Sequence, residues 1–251
     1  MLAAARRDLL LERLRQDGRI VAKDMAAELG LSEDSIRRDL REMDAAGLAV
    51  RVYGGALPAS PAVGDYATRT EVAIESKRRV AAAAVALMRP GSTVILDGGT
   101  TALEMVRALP TTWQGAIVTH SPTVAASLLA HDADVLLIGG RLFKHSAVAC
   151  GAAAVEAANR VSADQFFLGV TGVHAAAGLT TGDPDEAAMK RALAARAAET
   201  YVLASEEKIG AASRHSVLSL DSVAGVITDA GSEEPALREL VAIGVPLVTA
   251  R

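Results

Sequence analysis

The 251-residue chain is short of aromatics, at 3%, and has one cysteine, Cys150. A lone cysteine excludes an internal disulfide and any cysteine-cluster metal site. No apolar run reaches the roughly 18 residues of a membrane-crossing helix. The opening MLAAARRDLLLERL is charged throughout and is not expected to act as a secretory leader. An excess of positive charge is lacking too. The formal net charge is -4, and residues 1–57 hold 10 Lys/Arg against 10 Asp/Glu. Bulk charge therefore gives no nucleic-acid signal, and any such reading must rest on where particular arginines point. Repeats and low-complexity tracts are absent. What the chain does have is apolar content of 51%, much of it alanine, which suits helices packed closely on a sheet. Its length suggests one or two domains, and a cytoplasmic protein with no membrane partner is the simplest expectation.

The first 57 residues read as three helices and a hairpin. Leu9, Leu10 and Leu14, with Leu2 behind, form an apolar stripe that Asp17-Gly18 ends. A second helix runs from Val21 to Leu29, with Met25, Ala26 and Leu29 on one face, and Gly30 suits the left-handed residue that closes it. Ser32 fits an N-cap, with Glu33 and Asp34 in the first turn of a third helix. Ile36, Leu40 and Met43 set its buried face, so Arg37, Arg38 and Arg41 fall on the open faces and Ser35 points outward near its start. Asp39 and Glu42 are expected to orient those arginines by ion pairing. LAVRVYGG then alternates as a hairpin would. This is a winged helix-turn-helix pattern, whose third helix enters the DNA major groove, where arginine grips guanine edges or phosphates. Arg51, in the hairpin, would reach a flanking phosphate or the minor groove. On spacing alone, the same charges also fit the solvated face of a non-binding bundle.

Residues 58–70 are rich in proline, glycine and small polar residues and read as a linker. From residue 71, apolar strand-like runs alternate with helix-like runs, with helices expected near 152–160, 184–198 and 233–243. That pattern predicts an α/β domain with a mainly parallel sheet buried on both faces. Three strand-to-helix turns carry small and hydroxyl residues: Asp97-Gly-Gly-Thr-Thr101, Val118-Thr-His-Ser-Pro122 and Ile138-Gly-Gly-Arg-Leu142. Glycines let the backbone approach a ligand, and the hydroxyls and free N–H groups at a helix start favour phosphate. Any one such turn equally fits tight packing. Lys208, after the strand YVLAS, suits a phosphate as a point charge. His120, His145 and His174 lack companions at metal-ligand spacing, so no metal or other cofactor is expected. His120 and His174 could each hydrogen-bond a sugar hydroxyl or play a plain loop role.

The segment Ser32-E-D-S-I-R-R-D-L, with Gly47-Leu, Arg51 and Gly54-Gly-Ala56 after it, resembles the N-terminal signature of the DeoR family of bacterial transcriptional regulators. GTT, VTH, IGGR, ADQFFLGVTGVHAAAGLTT, the Lys190-R-A-L helix and EEKIG line up in order with that family's effector domain, so the resemblance spans nearly the whole chain. It implies a winged helix-turn-helix over 1–57, a linker over 58–70, and an effector-binding and oligomerisation domain over 71–251, similar in fold to ribose-5-phosphate isomerase and CoA transferases. It implies a homodimer or homotetramer that represses a sugar-catabolic operon and leaves double-stranded operator DNA when a phosphorylated sugar binds. DNA contacts would come from Ser32, Ser35, Arg37, Arg38, Arg41 and Arg51. Gly99, Thr100, Thr101, Gly140, Arg141 and Lys208 would hold the phosphate side, His174, Asp183 and Glu186 would lie nearer the sugar, and Asp97 and His120 complete the expected effector-binding set. The chain departs from the family pattern at Ser35 (commonly Thr), His120 (commonly Asn), His174 (often acidic) and Ser205 (often Asp). The alternative is a sugar-phosphate isomerase-like enzyme with an accessory helical domain, using Asp183 or Glu186 as base. Against it, Gly169–Gly178 holds no acidic residue where the isomerases carry catalytic ones, and proton abstraction needs a base within hydrogen-bond reach.

Overall fold

The computed structural model describes residues 3–251. Leu2, placed behind the first apolar stripe from the sequence, lies outside them. The N-terminal module comprises α1 (Ala3–Asp17), β1 (Ile20–Val21), α2 (Ala22–Leu29), α3 (Glu33–Ala45), β2 (Ala49–Val52) and β3 (Gly55–Pro58). Gly30 closes α2 in the left-handed conformation, and the Ser32 side chain caps α3 by accepting from the Ser35 N–H. Leu10, Leu14, Met25, Ile36, Leu40 and Met43 form the module's core. The wing holds more than a hairpin: Ile20-Val21 adds to β3, giving the antiparallel order β1-β3-β2. Gly55 permits this, because a Cβ there would sit 1.7 Å from the Ile20 carbonyl oxygen.

Residues 58–70 are built into the structure. Pro61–Val63 makes a 3-10 turn and α4 spans Tyr66–Glu71. Ala59 bridges Ala212, and the buried Ser60 hydroxyl donates to the Thr171 carbonyl. α5 (Ile74–Leu87) follows.

The larger domain then runs β4 (Thr93–Leu96), α6 (Thr100–Ala108), β5 (Ala116–Thr119), α7 (Pro122–Ser127), β6 (Asp134–Leu137), β7 (Arg141–Phe143), β8 (Val148–Cys150), α8 (Ala152–Ala158), β9 (Ala163–Gly169), β10 (Gly172–His174), β11 (Gly178–Thr181), α9 (Pro184–Ala194), β12 (Ala197–Leu203), β13 (His215–Leu218), β14 (Gly225–Thr228), α10 (Pro235–Ala242) and β15 (Leu247–Thr249). Seven strands form one parallel sheet in the order β15-β14-β12-β9-β4-β5-β6. Its central strands are apolar over their buried stretches because both faces are covered there, while the edge strand β6 is largely exposed. On β9, Phe166 packs into one layer and Phe167 into the other, and on β4 Ile95 and Leu96 divide the same way. Truncating either phenylalanine to alanine would cost about 3–5 kcal/mol.

Three features depart from the simple alternation. β7 and β8 pair with each other as a separate antiparallel hairpin. DQFFLGVTGV is not one strand: the chain turns after Gly169, and β10 joins β11 and β13 in a small antiparallel sheet. The helix expected over 184–198 stops at Ala194, and Ala197 already belongs to β12. Among the described residues, no helix is long and apolar enough to cross a membrane.

Candidate DNA-binding face and anion cleft

Helix α3 buries Ile36, Leu40 and Met43 as its spacing requires, and Asp39 joins that face at 2% exposure. A buried carboxylate needs a partner. Arg6 of α1 supplies it with two hydrogen bonds, one of 3.0 Å from its terminal nitrogen. Glu42 likewise takes Arg7 at 2.6 Å. These acids therefore fasten α3 to α1 and do not orient the α3 arginines, contrary to the expectation from sequence. Arg37 instead pairs with Glu33 one turn earlier, at 2.6 Å. Arg38 and Arg41, three residues apart, share the exposed face, and among the described residues neither has an ion-pair partner. Ser35 Oγ lies 2.9 Å from Ser32 Oγ, so both hydroxyls cluster at the helix start. Arg51 is exposed on β2, and Tyr53, which sequence reasoning passed over, is fully exposed at the wing tip.

The cleft of the larger domain opens where the chain order reverses. β4 and β9 are neighbours, and later strands run outward from them in opposite directions. Ligands of open α/β sheets bind beyond the strand ends at such a switch point. Gly98 and Gly99 leave β4 here, and Thr100 and Thr101 begin α6. A Cβ on Gly98 would fall 2.0 Å from Val148 Cγ1, so the turn needs glycine for this close approach. The cleft is narrow, with a cavity volume of about 40 Å³.

Four cations line it: Arg69 from α4, Lys77 from α5, Lys190 from α9 and Lys208. Glu186 and Glu207 are the acids on the same wall. Lys208 Nζ lies 3.4 Å from Thr101 Oγ1 and from the Leu203 carbonyl, and burial brings its pKa down to about 8. Lys77 donates to the Arg69 and Val72 carbonyls. Arg69 donates to the His145 carbonyl at 3.2 Å while its Nε, buried, has no partner. Burial lowers the pKa of both Lys77 and Arg69. Glu186, 6% exposed, has a single long hydrogen bond, 3.5 Å from Thr181 Oγ1.

Beneath the cleft lies a closed polar knot. Asp97 accepts from Lys190 Nζ at 2.6 Å, from the Gly169 N–H at 2.8 Å and from its neighbour Gly98 N–H at 2.8 Å, with His120 Nε2 at 2.7 Å. Burial alone would raise the Asp97 pKa, but the adjoining Lys190 and His120 overcome it and hold the carboxyl well below its ordinary range. His120 Nδ1 meets the Ala149 carbonyl at 2.8 Å. Asp97 and His120 were expected to touch a ligand; both are fully buried and outside the lining, so they position Lys190 and the glycine turn instead. Cys150 is buried nearby, its thiol pushed up to about 12 by burial, which leaves it unreactive.

Three more expected contacts lie elsewhere. Gly140 and Arg141 follow β6, two strands from β4, and neither lines the cleft. Arg141 is exposed and pairs with Asp185 at 2.7 Å. His174, carried off by the small antiparallel sheet, faces Gly18 and Arg19 of the N-terminal module, and burial lowers its pKa. Gly99, Thr100, Thr101, Glu186 and Lys208 are brought together as expected. Asp183 N-caps α9, accepting from the Asp185 and Glu186 N–H groups, and lines a second cavity beside the first. Sequence reasoning missed Arg69, Lys77 and Lys190. The Glu186–Lys190 pair, one helical turn apart on an alanine-rich helix, was the one available signal for Lys190. Among the described residues, no three His, Cys, Asp or Glu side chains gather to hold a metal.

Comparison with known proteins bears on both regions. Residues 6–61 match the DeoR-like helix-turn-helix domain, and residues 72–230 match the DeoR C terminal sensor domain. The HTH-type transcriptional regulator GlpR of Haloferax volcanii is 34% identical over 99% of this chain and 98% of its own. A Bacillus subtilis HTH-type transcriptional regulator named FruR is 30% identical, covering 92% of each chain. The glycerol-3-phosphate regulon repressor of Escherichia coli K12 is 28% identical, again covering 92% of each. Among solved structures, ribose 5-phosphate isomerase A of Methanocaldococcus jannaschii is 19% identical at a TM-score of 0.40, over 53% of this chain and 52% of its own. The sorbitol operon regulator SorC of Klebsiella pneumoniae is 14% identical at 0.36, over 80% and 89%.

Proposed function

Given that the chain belongs to the DeoR family of transcriptional regulators, we propose that it represses a sugar-catabolic operon and leaves its operator when a phosphorylated sugar binds the sensor domain. Membership makes it a regulator and sets the isomerase-like alternative aside. The observation that carries the effector reading is the convergence of Arg69, Lys77, Lys190 and Lys208 on the glycine-threonine turn at the sheet's switch point. A dianionic phosphate there would meet the N–H groups that open α6, the Thr100 and Thr101 hydroxyls and the Lys208 ammonium. Glu186 and Asp183 stand on the side where sugar hydroxyls would lie. The name of the Escherichia coli relative, a glycerol-3-phosphate regulon repressor, favours the same chemical class.

Arg38 and Arg41 would grip bases or phosphates in the major groove, with Ser32, Ser35 and Arg37 at the helix start and Arg51 and Tyr53 on the flanking backbone. One such module contacts little DNA, so a symmetric homodimer or homotetramer on paired half-sites is part of the proposal. The test is a gel shift on the chain's own upstream region. Arg38→Ala is expected to weaken specific binding by roughly ten- to a hundred-fold and to flatten the salt dependence by about one unit of slope. Unchanged affinity in both Arg38→Ala and Arg41→Ala would count decisively against this face. For the effector, thermal shift with a panel of sugar phosphates should show a concentration-dependent rise in melting temperature that Lys208→Met removes.

A further inference from the structure

The anion cleft does not end at the sensor domain. A second cavity of about 340 Å³ adjoins it, and the two share Ala62, Arg69, Ser146, Thr171 and Glu186 on their walls. Its far wall belongs to the DNA-binding module: Asp44 at the end of α3, and Ala49 and Val50 on β2. Val50 and its register partner Leu57 are buried, yet both stand outside the module's own core, which takes Ala49 and Ala56 from the opposite strand face. Arg214, on the sensor side of the same cavity, donates to the Asp44 carbonyl at 3.2 Å and lies 3.6 Å from its carboxylate. The last turn of the recognition helix is thus tied to the sensor domain across the cavity. Within the shared wall, Glu186 is more than nine-tenths buried and holds only its 3.5 Å contact with Thr181. A buried carboxylate so poorly satisfied has acceptor capacity free for donors that enter the cavity.

We propose that the junction cavity is the second half of the effector site and takes the uncharged, hydroxyl-bearing end of a phosphorylated sugar, which thereby touches the DNA-binding module itself. This rests on the reading of the cleft as the phosphate site. Glu186 and Asp183 accept from sugar hydroxyls. Val50 and Phe143 cover the C–H faces, and the distal end reaches the Arg214–Asp44 tie. Phosphate alone fills the cleft without reaching α3, so it binds but does not release DNA. A ligand long enough to enter the junction competes for Asp44 and Arg214 and changes how α3 is held, which couples the two sites as differential contact requires.

The experiment is calorimetric titration of the full chain with inorganic phosphate and, separately, fructose 6-phosphate, in wild type and Val50→Trp. The tryptophan fills the junction and leaves the cleft intact. The expected result is that Val50→Trp weakens fructose 6-phosphate by about ten-fold or more and leaves inorganic phosphate within about two-fold. Equal affinity of fructose 6-phosphate for both proteins overturns the inference and spares the phosphate reading. Failure of inorganic phosphate to bind wild type, or its indifference to Lys208→Met, overturns the phosphate reading and this inference with it. If circular dichroism shows Val50→Trp misfolded, Arg214→Trp fills the same cavity from an exposed position and carries the same expectation.

Discussion

Replacing Asp97 by asparagine keeps the side chain's shape and removes its charge. In the native protein that carboxylate neutralises Lys190, whose ammonium is buried 2.6 Å away, and also faces His120 at 2.7 Å and accepts from the Gly169 N–H at 2.8 Å. Asparagine can accept through one oxygen only, and its amide nitrogen would meet Lys190, His120 or Gly169 head-on. Removing one partner of a buried pair strands the other and costs about 3–5 kcal/mol. Set against a total stability of about 5–15 kcal/mol, that is a large share. At roughly 2–4 °C per kcal/mol for a chain of this size, the melting temperature at pH 7 should fall by roughly 6–20 °C. Thermal unfolding followed by circular dichroism reads this directly. Asp97→Asn combined with Lys190→Met removes the stranded ammonium and should recover part of the loss. The pH dependence has a definite sign. The folded carboxyl titrates below the ~3.9 of an unfolded aspartate, so its stabilisation is complete well above that value and is lost as pH falls through and beneath it. The deficit of Asp97→Asn should therefore narrow between pH 7 and pH 3. A drop of under about 2 °C at pH 7, or a double variant no better than the single one, would refute the account of the knot.

Lys208 titrates near 8 in the folded protein, so in the unliganded cleft its ammonium is largely lost at pH 9. The dissociation constant for a phosphate ester should rise by roughly ten-fold from pH 7 to pH 9, a trend that Lys208→Met abolishes; equal calorimetric affinities at the two pH values would exclude Lys208 from the site. Ser32→Ala removes the cap of α3 and should cost about 1 kcal/mol, seen as a lowered melting temperature of the N-terminal module. Gly55→Ala drives a methyl group into the Ile20 carbonyl and should abolish operator binding while affinity for inorganic phosphate, measured by calorimetry, stays near wild type.

The N-terminal module was legible because its signals are local. The Ser32 cap, the glycine ends and the Ile36–Leu40–Met43 stripe each act within one or two helical turns. Asp39 was misread because an acid between two arginines looks solvated, and only the fold reveals Arg6 of α1 reaching it. The parallel sheet was legible because its central strands carry short apolar runs, Val94–Leu96, Ile117–Val118 and Phe166–Leu168, where both faces are buried. The antiparallel β10-β11-β13 sheet was not, since VTGVH and GLTT carry no distinguishing alternation. For the cleft, the glycine-threonine turn announced itself. Arg69, Lys77 and Lys190 did not, because each arrives from a different element. The turn before Arg141 looked equivalent to the one after Asp97, but glycine-rich turns do not encode strand order, and strand order set them two strands apart.

Residues 58–71 belong to both halves of the protein at once: Ser60 is pinned to Thr171, and α4 delivers Arg69 to the cleft wall. A chimera that grafts this DNA-reading head onto a foreign sensor at residue 57 leaves the donor's connecting helix behind, and one cut after residue 71 imports an arginine the new host has no place for. Transplants between such regulators should therefore keep their inducer response only when this stretch travels with the sensor and the wing surface around Val50 is matched to its new seat.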